Sequence, residues 1–269
     1  MALRDLRGVL IPVALLILWE LASRTGLVSA VVLPPPSAVA VKWWSGLLPA
    51  LPYDPGQESY LSWLFSGEMP HDAVSSLSRV VSGFLIGAGL AVPIGLVLGT
   101  NDALYALFNP LLQVLRPIPP IAYIPLAIVW FGLGNPPALF LIALGTFFPV
   151  LVNTIAGVRQ VDSIYIRAAR NLGAGSWTMF RRVILPAASP FVLAGMRIGI
   201  GTAFIVVIVA EMIAVSDGLG YRILEAREYM WSDKIIGGML TIGILGLIID
   251  GAMSRLNDHL LRWHRGLER

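Results

Sequence analysis

The chain lacks cysteine altogether, and charged residues make up only 13% of its 269 positions. Without a thiol there can be no disulfide framework, no thiol catalysis and no iron–sulfur site. A charged share of about 25% is usual for soluble domains. Here 57% of the residues are hydrophobic and the mean hydropathy is +0.78. The composition therefore predicts a polytopic membrane protein.

Lysine and histidine are also rare. Lys42 and Lys234 are the only lysines and neither follows a glycine, so the phosphate-binding pattern Gly-x-x-x-x-Gly-Lys-Ser/Thr is absent. The histidines at 71, 259 and 264 are too scattered to suggest a metal site. We find no nucleophile–base pair or carboxylate couple, and the basic residues are not interleaved with aromatic ones. We expect neither an enzyme nor a nucleic-acid-binding protein, and no metal or cofactor in this chain.

Six apolar runs predict six transmembrane helices, most of them near the ~20 residues that a bilayer requires. They cover residues 1–21, 80–100, 104–131, 138–157, 191–214 and 234–250. The first run also fits a secretory signal, but the many spans after it favour a retained helix. The third is interrupted by prolines, and a broken span is tolerated only against protein or a water-filled cavity. We further expect residues 37–48 to lie at the membrane interface and residues 51–71 to form an external loop.

A basic segment, residues 160–190, separates the fourth span from the fifth. Gly173-Ala174-Gly175 is expected to break it into two short helices, with Pro186 and Pro190 at its far end. Its arginines place it on the cytoplasmic side, and both termini then lie in the cytoplasm. We expect three parts: residues 1–73 with the first helix and external loop, residues 74–256 as the core, and residues 257–269 as a basic tail.

The spacing within this segment resembles the cytoplasmic loop of permease subunits of binding-protein-dependent ABC importers. That family pattern is Glu-Ala-Ala, three residues, Gly, nine residues, Ile, any residue, Leu-Pro. The corresponding residues here are Arg167-Ala168-Ala169, Gly173, Val183 and Leu185-Pro186. Val183 is an apolar replacement for Ile, whereas Arg167 reverses the charge of the family's Glu. The spacing itself is intact.

Further matches resemble one branch of these permeases, which carries nitrate, sulfonates, taurine or bicarbonate. They are Leu115-Arg116-Pro117-Ile118-Pro119-Pro120, Ile124-Pro125-Leu126, Trp130-Phe131-Gly132, Gly195-Met196-Arg197-Ile198-Gly199, Ala210-Glu211-Met212-Ile213-Ala214 and Gly218-Leu219-Gly220. The resemblance implies an all-α type I importer fold in a bacterial inner membrane. It also implies a second permease copy, an external solute-binding protein, and two cytosolic ATPases that bind ATP and Mg²⁺.

The same resemblance implies that residues 163–172 form a helix whose small face sits in a groove of the ATPase. The residues implied in this coupling are Arg167, Ala168, Ala169, Arg170, Gly173, Leu185 and Pro186. Small residues permit close approach, and Gly173 permits a sharp exit from the helix.

Charged residues inside the spans are the candidates for a translocation path, because a charge at the bilayer centre costs about 2.5–3.5 kcal/mol and normally faces protein or water. Arg197 and Glu211 lie about 21 Å apart on one helix and so cannot pair directly. Arg197 would attract an anion. The alternative is that each pairs with another group for structure, as Arg116 would with carbonyls freed by the prolines. The candidates are the charged residues Arg197, Glu211 and Arg116, together with four uncharged residues expected to line the same passage: Tyr123, Trp130, Asn153 and Thr154.

A secondary transporter of a small anion, driven by an ion gradient, is the alternative function. Such transporters are built from internal repeats with coupling-ion carboxylates at mid-membrane, and we find no repeat in this sequence. Together with the resemblance described above, which implies the substrates, the missing repeat favours an ATP-driven importer of a small oxyanion: nitrate, bicarbonate, taurine or an alkanesulfonate.

Overall fold

A computed structural model describes residues 3–49 and 65–262, together with residues 52, 60 and 63. Most of the expected external loop, 51–71, and the last seven residues of the tail lie outside the described residues. Every regular element in the described residues is helical. The helices are α1 (Leu3–Arg24), α2 (Pro36–Leu47), α3 (Glu68–Thr100), α4 (Asp102–Leu115), α5 (Ile124–Phe131), α6 (Asn135–Arg159), α7 (Ser163–Asn171), α8 (Ser176–Ala214), α9 (Leu219–Glu228) and α10 (Ser232–Leu260).

Four of these helices, α3, α6, α8 and α10, are long and apolar enough to cross a membrane. The third expected span consists of α4 and the segment Pro120–Phe131, which bend by 82° at a short break. This confirms that prolines interrupt it. The first expected span forms the 22-residue helix α1, whose leucines and isoleucines from Leu10 to Leu21 are largely exposed. Its crossing of the membrane remains a prediction.

Helix α3 begins at Glu68, twelve residues before the expected start of the second span. The turn residues predict a loop as far as residue 71, whereas residues 68–71 form the first turn of α3. Pro70 does not prevent this start, because the first turn of a helix has no intrahelical partner for its N–H groups. Helix α10 likewise continues past Asp250 to Leu260, so Asp250 lies within a helix rather than at its end.

Helix α8 corrects the expectation of a second short helix ending at two prolines. The chain is continuously helical from Ser176 to Ala214, with one π turn at Phe180–Ile184. Within that turn the Leu185 N–H donates to the Phe180 carbonyl, five residues back. Proline lacks an N–H and its ring crowds the preceding turn, and the wider π turn just before Pro186 accommodates both effects. The helix therefore passes both prolines.

Glycines on α3 bring its backbone against α6. A Cβ added at Gly83, Gly87, Gly95 or Gly99 would collide with Ile142, Ala143, Thr154 or Val158 respectively. The paired Gly-x-x-x-Gly spacing thus produces the close packing that the sequence predicts. By contrast, a Cβ at Gly89 would meet no atom within 4 Å, since that residue faces away from α6.

The opposite side of α6 packs against α8 in the same way. Gly195 approaches Asn153 and Val150, and Gly199 approaches Thr146 and Val150. The face of α6 that carries Thr146 and Asn153 is therefore the face that meets α8. Apolar side chains from α3, α5, α6 and α8 complete a continuous buried core.

The contacts divide the chain into two units. One comprises Leu77–Val215 and Gly246–Arg269, and the other comprises Met1–Ser76 and Ser216–Leu245. The expected division after residues 73 and 256 remains a prediction.

In the unit that contains α2, the carboxylate of Asp72 at the start of α3 binds the beginning of α9. Asp72 is almost fully buried and accepts hydrogen bonds from the Gly218 N–H at 3.2 Å and the Arg222 guanidinium at 2.8 Å. Burial opposes the charge on Arg222, but Asp72, with Glu68 and Glu225, outweighs it and raises the pKa of the guanidinium above its usual value. Ser76 accepts from the Leu219 N–H. The first N–H groups of α9 thus receive acceptors from another helix.

Replacing Gly87 with alanine is expected to destabilise the protein by about 1–3 kcal/mol, because the new methyl group overpacks the α3–α6 contact. The matched change Gly89→Ala points into open space and is expected to be neutral or stabilising by up to about 1 kcal/mol through helix propensity. Thermal unfolding of the two purified variants in detergent measures the difference. Equal melting temperatures would contradict the packing described above.

Candidate functional site

The segment expected to couple to an ATPase contains a well-defined short helix, α7. The Asp162 carboxylate caps its first turn by accepting a hydrogen bond from the Ile164 N–H at 2.8 Å. At its end Gly173 has a φ of +82°. The Ala174 N–H donates to the Ala169 carbonyl and the Gly173 N–H to the Arg170 carbonyl, which is a Schellman motif. The sharp exit expected at Gly173 is confirmed.

One side of α7 is apolar and exposed. At 3.6 residues per turn, Ile164, Tyr165, Ala168 and Leu172 fall within about 100° of the helix circumference. All four are exposed, Leu172 to 89%. We call these residues the α7 surface. Arg167 and Arg170 are exposed on the other side of the helix, Ala169 is half-buried between the two sides, and Leu185 and Pro186 are at least partly exposed near the start of the fifth span.

Arg197 forms a two-pronged salt bridge with Asp250 of α10. Its Nε and one terminal nitrogen donate to the two carboxylate oxygens at 2.9 and 2.8 Å. The two side chains remain 47% and 56% exposed. Arg197 therefore pairs with a carboxylate, which was the structural alternative to a role in the translocation path. A role of Arg197 in that path remains a prediction. Asp250 was not among the candidates, although an acid inside an apolar helix indicates a basic partner on another helix.

Glu211 is fully buried in α8, where its carboxylate accepts a hydrogen bond from Arg79 of α3 at 2.8 Å. Arg79 also donates to the Asn135 side chain at 2.6 Å. Arg79 is not among the candidates because it directly precedes the expected second span, 80–100, whereas it lies inside the 33-residue helix α3. Glu211 thus pairs with a residue of another helix, and its side chain is not exposed. Its role in the translocation path remains a prediction.

Two candidates, Arg116 and Asn153, meet in the wall of one cavity of about 290 Å³. The cavity lies at the bend between α4 and Pro120, against α6 and α8, and Phe148, Ile198 and Thr202 also line it. Within the described residues the Arg116 side chain makes no hydrogen bond or ion pair, so it does not bind the carbonyls freed by the prolines. Its charge is available to the cavity.

The remaining candidates lie elsewhere. Thr154 is fully buried and donates to the Val150 carbonyl in its own helix. Tyr123 is partly buried against the core. Trp130 is 56% exposed and packs edge-on against Phe131 and Phe140. None of these three lines the 290 Å³ cavity.

Comparison with known proteins shows the family. Residues 91–265, more than half of the chain, match the family described as binding-protein-dependent transport system inner membrane component. The chain belongs to this family. The permease also shares its fold with a chain of the MetNI methionine ABC transporter, at a TM-score of 0.62 and 21% identity over 70% of the permease and 94% of that chain.

Three named relatives indicate which branch of the family the permease is similar to. The permease is 34% identical to the putative aliphatic sulfonates transport permease protein of Bacillus subtilis, over 98% of its length and 89% of the relative. It is 32% identical to the taurine transport system permease protein of Escherichia coli, over 93% and 86%. It is 33% identical to the bicarbonate transport system permease protein of Synechococcus elongatus, over 96% and 92%. The expected branch is confirmed.

Removing one member of the buried pair is expected to destabilise the permease far more than removing both. Glu211→Gln leaves the Arg79 charge buried without its carboxylate, which costs about 3–5 kcal/mol, whereas Arg79→Met combined with Glu211→Leu is expected to be nearly neutral. Thermal unfolding in detergent compares the two. A stable double variant that no longer transports would instead assign Glu211 to the path.

Proposed function

We propose that this permease forms the path by which a small oxyanion crosses the bacterial inner membrane in an ATP-driven importer. An external solute-binding protein delivers the anion, and two cytosolic ATPases, which bind ATP and Mg²⁺, drive its release inward. A second permease copy completes the path. The basic segment and both termini then face the cytoplasm. The ion-gradient alternative is less favoured, because the chain belongs to a binding-protein-dependent family.

The α7 surface is the single observation that carries this proposal. Three exposed side chains on one side of the nine-residue helix α7, with the exposed Leu172 directly after it, have apolar area whose burial against a partner is favourable for a segment that faces water. The Schellman exit at Gly173 fixes the direction of the chain after α7. A partner that displaces α7 would therefore act on α6 and α8, which flank it in sequence and pack against each other through glycines.

The anionic nature of the substrate is supported by two observations. Relatives along nearly the whole chain carry the names of sulfonate, taurine and bicarbonate permeases. In addition, the guanidinium of Arg116, which forms no ion pair within the described residues, and the amide of Asn153 line the cavity at the bend. A guanidinium presents five fixed donors that suit an oxyanion. Arg197, held by Asp250, lies on α8 one residue before Ile198 of the same cavity.

Ala168→Arg is expected to stop transport while ATP hydrolysis continues, because the larger charged side chain lies within the α7 surface and prevents α7 from seating on the ATPase. Ala252→Arg, which adds the same side chain at a likewise exposed position of α10, is the matched control. Uptake by proteoliposomes and ATPase activity of the same preparations measure the coupling. Normal transport by the Ala168→Arg variant, with the ATPase still co-purifying, would contradict the proposed role of α7.

Uptake competition identifies the anion. Cells that express the complete importer are expected to take up one labelled anion, and an excess of nitrate, bicarbonate, taurine or alkanesulfonate is expected to compete according to its affinity for the solute-binding protein. A neutral amino acid serves as the control and should not compete. Transport by the purified chain alone in liposomes, dependent on an ion gradient and not on ATP, would replace the proposal with the secondary transporter.

A further inference from the structure

A second and larger cleft lies between α4 and α6, and Arg116 lines it as well. Its volume is about 610 Å³, within the range of small-molecule sites. Tyr105, Asn109, Gln113 and Arg116 enter it from α4 at intervals of three or four residues, and Arg159 enters from the last turn of α6. Side chains at this spacing share one face of a helix. We call this the α4–α6 cleft.

The polar groups of the α4–α6 cleft are predominantly hydrogen-bond donors. Arg116 and Arg159 each offer a guanidinium, Asn109 and Gln113 each offer an amide, and Tyr105 offers a hydroxyl. None of the residues that line the cleft is acidic. Its remaining wall is apolar and includes Leu112, Val152 and Ile155. Such a surface suits a ligand that combines a charged oxyanion with an uncharged portion.

Arg159 is held in place within this cleft. One of its terminal nitrogens donates to Asp102 at 2.7 Å, and its guanidinium carbon stands 4.2 Å from the centre of the Tyr105 ring. Asp102 is 90% exposed, so this pair is weak. Arg116 makes no ion pair or side-chain hydrogen bond among the described residues. The α4–α6 cleft therefore carries uncompensated positive charge.

We propose that the α4–α6 cleft is an anion-binding site that accepts a tetrahedral oxyanion, either a free sulfate or phosphate or the phosphate of an anionic lipid headgroup. Arg116 and Arg159 attract the anion from the two ends of the cleft, and Gln113, which lies between them along α4, contributes a neutral hydrogen bond. The site lies where α6 ends, four residues before α7 begins. It does not rest on the proposed transport function, because it follows from the charges and donors of the cleft alone.

Binding of labelled inorganic sulfate to the purified full chain tests the free-anion form. The chain is reconstituted in nanodiscs of phosphatidylcholine only, at ionic strength held constant with chloride. Losing a hydrogen bond to a charged group costs about 1.5–3 kcal/mol, so Arg116→Gln combined with Arg159→Gln is expected to weaken binding by at least about tenfold. Arg255→Gln removes an exposed arginine of α10 outside the cleft and is expected to leave binding unchanged.

Retention of phosphatidylglycerol tests the headgroup form. The chain is reconstituted with mixed phosphatidylglycerol and phosphatidylcholine, washed in detergent and analysed for bound lipid by mass spectrometry. Retained phosphatidylglycerol that disappears in the double variant and persists in Arg255→Gln identifies a lipid headgroup. Loss of sulfate binding without an effect on lipid identifies a free anion. If the double variant matches the wild type in both assays, or neither probe binds, the site is refuted.

Gln113→Leu is the second variant, because the double variant also removes the contacts of Arg159 with Asp102 and with the Tyr105 ring. It removes one neutral donor, leaves both arginines in place, and is expected to weaken binding of the same probe severalfold while the melting temperature stays unchanged. If the double variant does not fold, a correctly folded Gln113→Leu variant that binds the probe as tightly as the wild type also refutes the site.

Discussion

Close backbone contact through glycine is the constraint on which the membrane-embedded core depends. Lipid tails are as apolar as leucine, so burying apolar area between helices stabilises little in a bilayer, and van der Waals packing must do more. Here α6 meets α3 at Gly83, Gly87, Gly95 and Gly99, and α8 at Gly195 and Gly199. These contacts fix which face of α6 each neighbour covers. They thereby place Asn153 at the cavity beside the bend.

Charged groups within the long helices obey a second constraint, which is that each needs a partner or a cavity. Arg79 and Glu211 satisfy one another in the core, and Arg197 binds Asp250 with both prongs of its guanidinium. Arg116 differs, since it borders two cavities and forms no pair within the described residues. Its position follows from the prolines, which end α4 at Leu115 and bend the chain by 82°.

Much of this arrangement was predictable because its causes are local. The prolines of residues 117–125 predict a broken span, Gly173 predicts the turn that ends α7, and the glycine spacing of α3 predicts close packing. The family spacing around Gly173 predicts a permease, which the family match confirms. Two local predictions were wrong: Pro70 does not delay α3, and Pro186 and Pro190 do not end a helix, because a first turn and a π turn tolerate the missing N–H groups.

The sequence by itself determined the membrane class, the break in the third span, and the short helix that ends at Gly173. Each follows from neighbouring residues through hydropathy, backbone geometry or spacing. Only the tertiary structure decided what the charges do. Glu211 lies 132 positions from Arg79, and Arg197 lies 53 from Asp250, so no local pattern links them. Helix packing brings these residues together, and it leaves Arg116 facing open space between α4 and α6.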